Sequence, residues 1–113
     1  MADRGGLLHP DIDDYDPKQT QAEVSAGAML VDVREPHEWN LGHLPGAQHI
    51  PMGEIPSRLA ELPRNRKIIF TCRSGNRSGH IKDLLIDEFG YTDVHNQLGG
   101  IIAWQLDGLP TVK

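Results

Sequence analysis

Apolar residues fall into short unbroken runs, and the stretches between them carry helix-period stripes or turn residues. Met29-Leu30-Val31-Asp32-Val33 and Ile68-Ile69-Phe70 show no polar alternation, which suits strands buried on both faces of a parallel sheet. Ala47 to Ile50 and Val94 to Leu98 read as further strands, and Tyr15 marks at most a short first one. Asp16-Pro17 resembles an N-cap followed by proline at the first helical position. Gln19 completes a capping box, so a helix is predicted to about Ser25 with a stop near Gly27. Glu35 to Trp39 suggests one helical turn, and Ile55, Leu59 and Leu62 mark one face of a helix closed by Pro63. Ile81, Leu84, Leu85 and Phe89 form an amphipathic stripe that ends at Gly90. Gly99-Gly100 opens a short last helix containing Ile101, Ile102 and Trp104. Strands alternating with helices imply an α/β domain with a covered parallel sheet over residues 13–113, preceded by a loose arm at 1–12.

The second of these runs changes the picture, because it delivers the single cysteine, Cys72, into the loop Arg73-Ser74-Gly75-Asn76-Arg77-Ser78. A loop between a strand's C-terminal end and a helix N-terminus collects unpaired N–H groups and the positive end of a helix dipole, so an anion belongs there. A thiol among such donors, with Arg73 and Arg77 close by, is a candidate to become that anion itself. An unperturbed cysteine of pKa about 8.5 is only about 3% thiolate at pH 7, and lowering it by roughly two units makes thiolate the majority form.

Composition narrows the class. The 113 residues suffice for one domain with a real core, and one cysteine permits no internal disulfide, as expected of a cytoplasmic chain. No signal-peptide or membrane-spanning run is recognisable, and no membrane partner is expected. The net charge of −5 argues against nucleic-acid binding, yet residues 64–82 carry +6 with no acid, leaving −11 elsewhere. That imbalance predicts a positive field around Cys72 that attracts small anions. The six histidines fall into no metal-binding pattern, so neither a metal nor another cofactor is expected. His80 lies behind the loop, with an exposed or structural role expected, and Trp39 and Trp104 are read as core or rim packing.

Leu30-Val-Asp-Val-Arg-Glu-Pro-His-Glu-Trp39, Gly42-His-Leu-Pro-Gly-Ala47, Cys72-Arg-Ser-Gly-Asn-Arg77-Ser78 and Gly99-Gly100 with Trp104, in this order and spacing, resemble a single-domain rhodanese. Such proteins are thiosulfate or persulfide sulfurtransferases, and the resemblance spans about residue 13 to the end. It implies a rhodanese-like five-stranded parallel sheet flanked by helices on both faces. It also implies that Cys72 accepts a sulfur atom and that Arg73, Ser74, Gly75, Asn76 and Arg77 cradle the resulting persulfide. The partners it implies are a small anionic donor such as thiosulfate and a thiol, cyanide-like or protein acceptor. Gly75 would let the loop N–H groups point inward, Arg77 could brace loop carbonyls or a carboxylate, and Arg73 is placed to meet the donor. Asp32, Arg34 and Ser78 are read as supporting residues, the first two as an ion pair or backbone caps that hold the neighbouring loops.

Three other readings share a cysteine in such a loop. A phosphatase or arsenate reductase places arginine six positions after cysteine, whereas here Ser78 stands at six and Arg77 at five, which makes a smaller cradle. A non-catalytic or relay module carrying a persulfide to a docked partner would use the same residues. A redox-sensing cysteine is disfavoured because the chain holds no resolving thiol.

Overall fold

A computed structural model describes residues 13–113; the arm expected at 1–12 lies outside the described residues. Helix α1 (Pro17–Ser25) begins as its sequence predicts, with Asp16 accepting from the Gln19 N–H and Gln19 closing the capping box. The remaining elements in chain order are β1 (Met29–Asp32), α2 (Pro36–Trp39), β2 (Gln48–His49), β3 (Ile68–Thr71), α3 (Asn76–Phe89), β4 (Val94–Asn96) and α4 (Gly100–Leu106).

The sheet order is β2-β1-β3-β4, with every pairing parallel. Side chains on successive strand residues point to opposite faces, which explains why the runs are apolar throughout. Met29, Val31, Val33, Ile68, Phe70 and Cys72 pack on one face with Ile81 and Leu85 of α3. Leu30 and Ile69 pack on the other with Ile101 and Trp104 of α4, joined by Val24 of α1. Helices therefore cover both faces.

Two expectations need correction. The sheet has four strands among the described residues, not five: at the place of a fifth, Tyr15 makes a single parallel bridge to Gln97, outside any strand. Its N–H donates to Asn96 and its carbonyl accepts from Leu98, after which Asp16 turns the chain into α1. The helix expected over Ile55, Leu59 and Leu62 is instead a pair of 3-10 segments, Met52–Glu54 and Pro56–Glu61. Pro56 supplies no N–H and Arg58 leaves helical angles at φ −120°, ψ 25°, so no continuous helix can form. Ile55 and Leu62 are nonetheless buried as their spacing required. No helix among the described residues is long and apolar enough to cross a membrane.

Candidate active site

Cys72 leaves the C-terminal end of β3 on the face covered by α3, and only three residues separate it from the start of that helix. The turn is closed by Gly75, whose φ of +97° is a left-handed conformation that a residue with a side chain adopts at a cost. Its N–H then points back at the cysteine, 3.1 Å from Sγ. The Ser78 N–H lies 3.4 Å from Sγ and the Ser78 hydroxyl 3.3 Å. Sγ thus sits among three converging donors.

Burial pushes the Cys72 thiol pKa up, but the Ser78 hydroxyl and the N–H groups of Ser78, Gly75 and Ser74 outweigh it, so the thiol lies below the ordinary cysteine range. The donors that contribute most are backbone and hydroxyl groups, and Arg77 adds a coulombic interaction from a position turned toward Glu38. Arg73 is exposed, as are Ser74 and Asn76. Arg77 turns its fork onto Glu38 of α2, with Nη1 and Nη2 at 2.7 and 2.9 Å from the two carboxylate oxygens. Hydrogen bonding from Arg77 brings the Glu38 pKa down to about 2.

The positive field expected around residues 64–82 is about half neutralised, three of its six charges being paired with acids. Lys67 pairs with Glu23, Arg77 with Glu38 and the buried Lys82 with Asp14. Arg64 lies over the Tyr91 ring and Arg66 donates to the Gly27 carbonyl. Arg73 is what remains at the mouth of the loop.

Asp32 and Arg34 form a buried pair at the end of β1, with Arg34 Nε 3.0 Å from both carboxylate oxygens and Nη2 reaching the Gly42 carbonyl at 2.7 Å. They fix the turn that follows β1 and do not touch Cys72. His49 donates from Nε2 to the Arg34 carbonyl, and Trp39 lies stacked against His43 and His49 with ring centroids 3.4 and 4.8 Å away. His80 is exposed, and Trp104 is buried with its indole N–H on the Pro110 carbonyl.

Four residues of the site carry no local signal in the sequence. Glu38 is 39 positions from its partner Arg77. Asn96 at the end of β4 accepts from the Ser78 hydroxyl at 2.6 Å and donates to the Gly75 carbonyl at 3.1 Å. Thr71 donates to the Gln97 side chain, which in turn donates to the carbonyls of Leu98 and Gly100. That ties the Gly99-Gly100 turn to β3. In the first turn of α4, the N–H groups of Ile101 and Ile102 then donate to the carbonyls of Cys72 and Arg73 at 2.9 and 3.2 Å. The only hint was the polar block His95-Asn96-Gln97 inside the strand run Val94 to Leu98.

Compared with known proteins, residues 16–107 match the Rhodanese-like domain family. A sulfurtransferase of Allochromatium vinosum is 41% identical over 102 residues, spanning 90% of this chain and 94% of the relative. The thiosulfate sulfurtransferase GlpE of Stutzerimonas stutzeri is 32% identical over 89 residues, spanning 79% and 81%. Among solved structures, a rhodanese-related protein from Thermoplasma volcanium superposes with a TM-score of 0.79 at 28% identity, covering 88% of this chain and 96% of that one.

Proposed function

The chain belongs to the rhodanese-like family, and from that premise we propose that it is a sulfurtransferase whose Cys72 takes a sulfane sulfur from thiosulfate or a persulfide donor and passes it to a thiol or cyanide-like acceptor. The observation that carries this reading is the donor ring around Sγ, with N–H groups of Gly75 and Ser78 at 3.1 and 3.4 Å.

The Cys72 thiolate attacks the outer sulfur of thiosulfate, the S–S bond of the donor breaks and sulfite departs with its electron pair. A Cys72 persulfide anion remains. An acceptor nucleophile then attacks the terminal sulfur, and the Cys72 thiolate is the leaving group. Loop N–H groups stabilise negative charge on sulfur as an oxyanion hole does on oxygen, and the depressed thiol pKa serves both halves of the cycle. Cys72 is 1% exposed while Arg73, Ser74 and Asn76 lie at the surface, so the donor's outer sulfur enters as the tip of an extended anion. The rest of the donor stays beside the Arg73 charge.

The alternative of phosphoryl chemistry is disfavoured by Arg77. A cysteine phosphatase needs its loop arginine to grip phosphate oxygens, and here both terminal nitrogens of Arg77 are engaged by Glu38. The test is a thiosulfate:cyanide assay on wild type and Cys72→Ser, with aryl phosphate hydrolysis run in parallel. Transfer is expected in wild type and absent from the folded variant, with negligible phosphate release from either. Equal transfer in the two proteins, or phosphate hydrolysis exceeding transfer, would contradict the assignment.

A further inference from the structure

The Ser78 hydroxyl has one proton and two acceptors. Its oxygen lies 2.6 Å from Asn96 Oδ1 and 3.3 Å from Cys72 Sγ. The Asn96 amide cannot turn to offer its nitrogen instead, because Nδ2 donates to the Gly75 carbonyl. Its backbone is fixed as well, the N–H donating to Asp14 Oδ1 at 2.9 Å and the carbonyl accepting from the Tyr15 N–H at 3.0 Å. Ser78 is fully buried and Asn96 is 4% exposed, so bulk water does not compete for the proton.

The charge on sulfur therefore decides where the hydroxyl points. A neutral thiol is a weak acceptor, and its own S–H can donate to Ser78 Oγ while the hydroxyl donates onward to Asn96. When the thiol proton leaves to a solvent base, a charge-assisted bond from the hydroxyl to Sγ becomes the stronger one, and Asn96 Oδ1 loses its donor.

We propose that Asn96 is a positioning residue, holding the Ser78 hydroxyl while Cys72 is neutral at Sγ and releasing it only when Sγ bears the negative charge. This deepens the sulfur-transfer reading, on which only its loaded state rests. In a persulfide the inner sulfur is neutral and the charge sits on the outer one, so the hydroxyl returns to Asn96. Asn96 thereby favours the loaded protein over the bare thiolate and restrains departure of that thiolate during transfer to an acceptor. The charged surroundings are shared by all these states. Arg77 interacts with Cys72, Asp32 and Glu38, Glu38 interacts with Arg34, Arg73 is exposed beside Cys72, and Asp14 pairs with Lys82 behind Asn96.

The test uses sulfur-free protein, so its outcome is independent of whether sulfur transfer occurs. The rate of alkylation of Cys72, the sole cysteine, is followed against pH in wild type, Asn96→Ala and Asn96→Leu, each also combined with Ser78→Ala. Removing the competing acceptor should lower the thiol midpoint by about one unit, a tenfold rise in the thiolate-to-thiol ratio. In the Ser78→Ala background the same substitutions should produce no fall. A merely structural role predicts the opposite sign, because loosening the Gly75 carbonyl would misalign the N–H donors and raise the midpoint. An unchanged or raised midpoint in a folded Asn96 variant overturns the proposal. If neither variant folds, the infrared S–H stretch at low pH decides. It should lie at lower frequency in wild type, where S–H donates to Ser78, than in Ser78→Ala, and coincident bands would overturn the proposal.

Discussion

Cys72 owes its acidity to groups within six residues of it in the chain, the N–H donors of Ser74, Gly75 and Ser78 and the Ser78 hydroxyl, which is why the sequence already pointed to it. Glu38 and Asn96 were not legible in the same way, since partners 39 and 18 positions apart meet only once the strands are ordered. Arg77 was read as able to brace loop carbonyls or a carboxylate, but which carboxylate it meets was not legible. Its clamp on Glu38 gives a pH-dependent prediction. The Glu38 pKa is about 2 in the folded protein against an ordinary 4.5, so the clamp contributes fully above pH 4.5 and is lost as pH falls toward 2. Glu38→Gln should therefore cost about 1 kcal/mol near neutral pH, the scale of a partly screened ion pair. Denaturant melts across pH should show the wild-type advantage vanishing in acid. Sulfur transfer should fall roughly fivefold as the freed Arg77 loosens the loop, and equal stability of the two proteins at pH 7 would contradict the clamp.

Among the elements, those with a local start or stop signal were read closely. The Asp16 capping box and Gly90 bound their helices as expected, and Gly90 ends α3 at φ +71°. The segment after β2 was misread as one helix because apolar spacing reports which residues are buried and says little about 3-10 against α geometry, where Pro56 decides. The docking of α4 onto the Cys72 loop was not readable at all, since Gly99-Gly100 was read only as the opening of a short last helix. Gly100 has φ +60°, and a Cβ there would overlap the Arg73 carbonyl and the Cys72 oxygen. Gly100→Ala should thus push the first turn of α4 off the loop, at a cost of about 2–4 kcal/mol. Thermal melts and alkylation of Cys72 report the two effects, and the variant should react less steeply with pH as the loop loses its frame. A variant with wild-type stability and reactivity would mean that the close approach carries no constraint.

For the whole molecule, continuous apolar runs gave the parallel sheet covered on both faces, while the strand count was overestimated because a single bridge at Tyr15 stands where a fifth strand was expected. Net charge by segment misled for a related reason: Lys67, Arg77 and Lys82 find acids from elsewhere in the chain. Arg73 is then the exposed cation beside Cys72, and attraction of a donor anion is expected to rest mainly on it. Loading by thiosulfate should slow by only roughly two- to threefold between about 0.01 M and 0.15 M salt, and Arg73→Ala should remove most of that dependence. A steep dependence that survives Arg73→Ala would place the attracting charge elsewhere. The predictions about loading and transfer rest on Cys72 carrying a transferable sulfur. The most direct measurement is the intact mass of the protein after incubation with thiosulfate and removal of the excess, with cyanide added to a second portion. The account predicts a gain of one sulfur atom, reversed by cyanide and absent from Cys72→Ser; a mass that does not change in wild type with thiosulfate or a persulfide donor, or an adduct that persists in Cys72→Ser, would contradict it.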